Sequence, residues 1–193
     1  IMGNPVRQVY NPALHATVAA FIKLTGWNAP QSYHFVTTSI YCLGPVTLFW
    51  WLYRGSRRHG LAFLAGLIYS LVSPATPLDH SILRDVGSYF SPHRLQTLIT
   101  YGEGPHITDL TLIPLAIWLL HEAATLRRWK YLPFAVFGVA LIVLTNWTGT
   151  TGFTMALAAY VLATFGARAR GEQPLHWPSF IAIGILAYTV AAP

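Results

Sequence analysis

What this sequence has least of is charge. Only 9% of its 193 residues are Asp, Glu, Lys or Arg, against about 25% in an ordinary soluble domain. A surface so poor in charge would not stay in water, whereas lipid asks for none. Cysteine is almost missing too. Cys42 stands alone, which excludes an intrachain disulfide and a CxxC redox or zinc motif. No HxxxH or HExxH pair occurs among the eight histidines, so no metal site is expected. There is no phosphate-binding glycine loop and no nucleophile elbow, which removes nucleotide-loop and serine-hydrolase chemistry. Residues 1–31 contain no acidic side chain.

The charge that is present is unevenly placed. Arg54, Arg57 and Arg58 share one short gap between apolar runs. Arg127, Arg128 and Lys130 share a second, and Arg168 and Arg170 a third. Two apolar stretches and an Arg/Lys-poor connection separate each gap from the next. This is the positive-inside pattern of a multi-spanning helical membrane protein, with the three gaps on the cytoplasmic side. The net charge of +6 is therefore a topology signal and not a nucleic-acid footprint, since eight of the twelve Lys/Arg lie in those gaps. Seven Trp and ten Tyr suit interfacial belts. The expected partners are membrane lipids, the expected location is the inner (plasma) membrane, and the expected class is an all-α integral membrane protein.

Apolar periodicity and breakers give the organisation. Residues 1–31 form an extracytoplasmic or interfacial segment, with a turn at Tyr10-Asn11-Pro12 and an amphipathic helix over Ala13 to Thr25 carrying Leu14, Val18, Phe21 and Ile22. Residues 32–193 form a transmembrane domain of about six spans, at 33–54, 59–73, 106–127, 131–147, 151–167 and 177–193. A long outer loop covers 74–105, with a short helix near Arg94 to Thr100. Pro45 and Pro114 kink two of the spans. Ala62, Gly66 and Ser70, and again Ala159, Ala163 and Ala167, recur at four-residue spacing and let helices approach closely. Residues 146–151 read as a tight outer turn. The chain opens on Ile1 and closes inside an apolar run, so it is expected to be an interior piece of a longer chain or the ordered part of one.

Chemistry-bearing residues gather on the outer side. Asp79, Asp85 and Glu103 lie in the long loop with Arg84, Arg94, His80 and His93, and His106 and Asp109 open the third span. Arginine offers a fork of donors to a phosphate, and a carboxylate could deprotonate a hydroxyl. The plainer reading is a solvated loop whose ions pair with each other or with head groups. In Tyr101-Gly102-Glu103-Gly104-Pro105-His106, glycines flank the carboxylate and Pro105 can start the helix. His106 and Asp109 are three residues apart, on one face of its positive end. Ordinary helix capping would use the same residues. Asp109 in an apolar helix is costly unless paired or near water. Glu122, beside His121, suits an ion pair with Arg127 or Arg128. His34 is either a ligand to a pigment or haem or a hydrogen-bonding histidine. Asn146-Trp147-Thr148 matches the glycosylation sequon but sits in a poor place for an acceptor.

Several segments carry a resemblance. Tyr101-Gly102-Glu103-Gly104-Pro105-His106, then Leu112-Ile113-Pro114-Leu115 and Leu144-Thr145-Asn146-Trp147, with Leu43-Gly44-Pro45-Val46 and Leu71-Val72-Ser73-Pro74, resemble bacterial multi-spanning membrane proteins of the "6-pyruvoyl-tetrahydropterin synthase-related" type. That label implies no pterin chemistry. Those proteins resemble the GT-C glycosyltransferase superfamily, and the likeness covers most of residues 40–150. It implies a fragment of an enzyme that takes a sugar from a polyprenyl-phosphate carrier at the extracytoplasmic face. The superfamily's main carboxylate follows a first span that is missing here. The resemblance leaves Glu103 or Asp109 as a secondary catalytic carboxylate and Arg84, Arg94 and His106 as donor-phosphate contacts, and it names no cofactor. The alternative is a non-enzymatic accessory subunit of a larger membrane complex, for example an energy-transducing or photosynthetic one, in which other membrane subunits are partners. A transporter would need an internal repeat, and none is found.

Overall fold

The computed structural model describes residues 12–72, 80–169 and 174–192. Asp79, Arg170, Tyr10, Asn11 and the stretch 73–79 lie outside the described residues, as do the side chains of Asp85, Ala167 and Arg168. Among the described residues every regular element is helical. There are nine α-helices: α1 Ala13–Thr25, α2 Ala29–Ser56, α3 His59–Leu71, α4 His80–Val86, α5 His93–Ile99, α6 Gly104–Leu120, α7 Leu132–Thr145, α8 Trp147–Ala169 and α9 Trp177–Ala191. A π-helical stretch, His121–Thr125, prolongs α6, and a 3-10 turn, Trp129–Tyr131, precedes α7. The fold class is all-α.

Two helices are long and apolar enough to cross a membrane, Ala29–Ser56 and Gly104–Thr125, and the second is mostly buried within the protein. Most of the other expected spans are shorter than anticipated. At 1.5 Å per residue the 13 residues of α3 rise about 20 Å, against about 30 Å of hydrocarbon. The sharpest departure is at 146–151. The expected turn shrinks to Asn146, in an extended conformation, and α8 begins at Trp147. Asn146 caps α8 by accepting the Thr148 N–H on Oδ1 (3.1 Å). The threonines that read as turn-formers instead donate their hydroxyls back to carbonyls four residues earlier, Thr150 to Asn146 (3.0 Å) and Thr151 to Trp147 (3.4 Å).

The chain divides into two compact units, Thr17–Thr111 and the pair Ile1–Ala16 with Leu112–Pro193. In the first, α1 ends at Gly26, whose φ of +73° favours glycine and whose N–H meets the Ile22 carbonyl. Asn28 then caps α2 by accepting the Gln31 N–H at 2.9 Å. α2 and α3 form a hairpin through Arg57, which sits in the left-handed region at φ 58°. The small face of α3 is the contact. Ala62 and Gly66 are buried, and Gly66 lies against the Pro45 carbonyl and Phe49. α6 runs parallel to α2 where they touch: Tyr33 reaches the Gly102 carbonyl, and Thr111 the Ile40 carbonyl.

In the second unit, α7 packs on both α8 and α9. Gly138 of α7 approaches Ala116 and Leu119 of α6. The small side chains at four-residue spacing that bury are not Ala159 and Ala163, which are exposed. One buried four-residue series in this unit is Ser179, Ile183 and Ala187 on α9, with small side chains only at its two ends. A Cβ added to Gly66 would lie 3.2 Å from the Pro45 carbonyl oxygen, tighter than ordinary contact. Gly66→Val is therefore expected to force α2 and α3 apart and to cost about 1–3 kcal/mol. Unfolding midpoints of the two proteins check this, and an unchanged midpoint would contradict it.

Candidate functional site

Proline shapes the centre of the first unit. A proline inside a helix deprives the carbonyl four residues earlier of its N–H partner. Pro45 does this to Tyr41 in α2, and Pro114 does it to Leu110 in α6. Both orphaned carbonyls are met by side chains of one cluster. Arg94 Nη2 donates to the Tyr41 carbonyl (3.2 Å), and Tyr69 Oη donates to the Leu110 carbonyl (3.1 Å). The guanidinium also stacks on both rings, 4.8 Å from the centre of Tyr41 and 4.2 Å from that of Tyr69. Thr47 Oγ1 lies 2.8 Å from the Thr111 carbonyl oxygen and 2.9 Å from that of Gly44, tying α2 to α6 beside it. Only Gly44 leaves room, since a Cβ there would collide with Arg94 Nη2.

Arg94 is thus committed. It is 8% exposed, and its Nε and Nη1 have no hydrogen-bond partner among the described residues. Burial lowers its pKa, and Tyr69 and Tyr41 work in the opposite direction. Its immediate task is to dock α5 on α2 and α3.

Docking α5 places its first residue, His93, near the start of α6. There Gly102 takes φ +65°, a conformation glycine adopts freely. The Glu103 N–H donates to the Thr97 carbonyl of α5 (3.1 Å), and the Glu103 carbonyl accepts the Ile107 N–H, the first bond of α6. The Glu103 side chain is exposed. Glu103 and His93 both lie close enough to His106 to act on it electrostatically. His106 is half-buried, and its Nδ1 is buried with no partner among the described residues.

The expected site residues therefore do not converge on one point. Glu103 and His93 lie within electrostatic reach of His106, with no hydrogen bond among the three. Arg84 is exposed on α4, with no ion-pair partner among the described residues. Arg94 is held in the tyrosine cage. Asp109 is fully buried, and neither carboxylate oxygen has a hydrogen-bond partner among the described residues. Thr111 faces α2, and Asp109, two residues earlier, lies about 200° away around α6. It points away from Arg94.

In the second unit Glu122 is buried and doubly satisfied, accepting from Trp118 Nε1 (3.0 Å) and Arg128 Nη1 (2.7 Å). That is the expected pairing with Arg128. His121 Nδ1 lies 3.2 Å from Tyr160 Oη, which lies 2.6 Å from Thr125 Oγ1. His34 is exposed beside Tyr33. No group of three His, Cys, Asp or Glu among the described residues could hold a metal ion.

Comparison with protein-family models, with curated proteins and with solved structures gives no match. The described residues define an all-helical protein with a caged arginine and a carboxylate–histidine group at one end of a long apolar helix.

The cage itself is testable. Gly44→Ala should drive the guanidinium from its seat and destabilise the protein by about 1–3 kcal/mol. In an Arg94→Ala background the same change should cost much less, because the clash has gone. A double-mutant cycle of unfolding midpoints measures the difference. Equal penalties in both backgrounds would contradict the arrangement.

Proposed function

We propose that this chain is a multi-pass piece of a membrane enzyme of the GT-C glycosyltransferase kind. It works at the extracytoplasmic face of the plasma membrane on a polyprenyl-phosphate-linked sugar. The observation that carries this reading is the end of α6. An exposed carboxylate, Glu103, stands on a glycine-flanked turn at the N-terminus of a span-length apolar helix, with His106 and His93 beside it. The membrane part of the reading is supported by two span-length helices, by the three arginine-marked gaps, and by large apolar side chains exposed along α3 (Leu61, Phe63, Leu64, Leu67, Ile68 and Leu71). A helix apolar on its outer face needs lipid or another protein.

The chemistry suits that end. Glu103 takes the proton of an acceptor hydroxyl as its oxygen attacks the anomeric carbon. The bond from that carbon to the phosphate oxygen breaks, and the polyprenyl phosphate leaves with the electron pair. The phosphate is favoured by the positive end of α6 and by His106 and the exposed Arg84. Arg94 serves as a positioning residue, since it holds the helix that brings His93 to His106.

A second reading, an accessory subunit among other membrane proteins, is favoured by one observation. Ala159 and Ala163, the small-residue face of α8, are exposed, and such faces admit a close helix partner.

Sugar transfer by the full-length protein in liposomes, assayed with polyprenyl-phosphate hexoses, separates the readings. Glu103→Gln is expected to lower transfer by about 100-fold or more with helical content unchanged. Equal transfer by the variant would contradict the role of Glu103. No transfer by the unaltered protein would contradict the enzyme reading and favour the accessory one.

A further inference from the structure

Asp109 is the group that glycosyl transfer leaves unused. It is fully buried, both its oxygens lack partners among the described residues, and no charged group among them acts on it. A bare buried carboxylate is expensive, so its setting must supply something to meet it. A metal ion would need ligands converging on one point, and none converge among the described residues.

What the helix does supply is a row. His106 and Asp109 are three residues apart on α6, a rise of about 4.5 Å, and Glu103 sits at the helix's N-terminal cap, three residues before His106. Their burial is graded: Glu103 is exposed, His106 half-buried and Asp109 wholly enclosed. The middle member turns an unpartnered, buried Nδ1 away from solvent. Residues three apart on a helix are side-chain neighbours. The other groups near the row are His93, which acts on His106 from α5, and Arg94, which lies on the opposite side of α6 in its tyrosine cage.

We propose that Glu103, His106 and Asp109 form a proton relay from the aqueous end of α6 to a buried, exchangeable proton on Asp109. In the inward step a proton on Glu103 passes to one ring nitrogen of His106. The imidazolium releases its other ring proton to the Asp109 carboxylate, which becomes a carboxylic acid. His106 is left as the opposite neutral tautomer and is reset by a ring flip. Each cycle moves one proton and no electron, and Glu103 is re-protonated from water. A row of titratable groups suffices for this, because a proton, unlike a metal, needs no common point of coordination. The relay stands whether or not the chain transfers sugar.

Infrared difference spectroscopy on the full-length protein in liposomes tests it without any sugar donor. A carboxylic-acid carbonyl band is expected in the wild type and lost in Asp109→Asn. After a change to heavy water, the band should shift by exchange, and His106→Gln should slow that shift by about 100-fold or more. Glu103→Gln, at an exposed position where folding is not at stake, should slow it in the same direction. Absence of the band in the wild type, or unchanged exchange in Glu103→Gln and His106→Gln, would overturn the relay.

Discussion

Two prolines inside long apolar helices leave two backbone carbonyls without their helical partners, and the first unit is organised around making good that loss. An unmet buried carbonyl costs about 1–3 kcal/mol. Here the donors come from Arg94 of a short connecting helix and Tyr69 of the neighbouring α3. The guanidinium is buried without a carboxylate partner among the described residues, which by itself would cost several kcal/mol. Two tyrosine faces offset that cost by as much as about 2 kcal/mol each where desolvated. The hydrogen bond to the Tyr41 carbonyl, a charge-assisted one, adds about 1.5–3 kcal/mol. The terms are of similar size, so the cage is stable only while all of it is present.

This constraint reaches the start of α6 through α5. Because Arg94 fixes α5, the Thr97 carbonyl is in place to receive the Glu103 N–H, and His93 is in place beside His106. The turn Gly102–Gly104 then presents Glu103 outward while α6 carries Asp109 inward. One exposed carboxylate and one enclosed carboxylate, six residues apart, acquire different chemistry from burial alone.

The parts of the fold written in local chemistry were legible from the residues. Gly26 marks the end of the amphipathic helix α1 by a capping preference that holds in any context, whereas the first span, expected from residue 33, begins at Ala29 under the Asn28 cap. The Ala62–Gly66–Ser70 spacing announces the tight face of α3. Where composition and tertiary context compete, the reading failed. Asn146 to Thr151 looked like a turn because Thr, Gly and Asn are turn-formers, yet hydroxyl bonds to preceding carbonyls let the threonines stay helical. Among the described residues Ala159 and Ala163 of α8 are exposed, while Ser179, Ile183 and Ala187 of α9 are buried. Spacing paired His106 with Asp109, whereas the groups that act on His106 in the fold are Glu103 and His93. The cage of Arg94 could not be read, because Tyr41 and Tyr69 are far from it in sequence. The one clue, a helix proline four residues beyond Tyr41 and another beyond Leu110, says that a carbonyl needs a donor without saying which.

The central claim is that α6 lies across a bilayer, with its glutamate–histidine end outside and its arginine-marked end in the cytoplasm. Single-cysteine labelling in intact cells tests this most directly. In a Cys42→Ser background, a membrane-impermeant maleimide should modify the Glu103→Cys variant in intact cells. It should reach the Lys130→Cys variant only after the membrane is opened. Equal labelling of both variants in intact cells, or of neither before lysis, would contradict it.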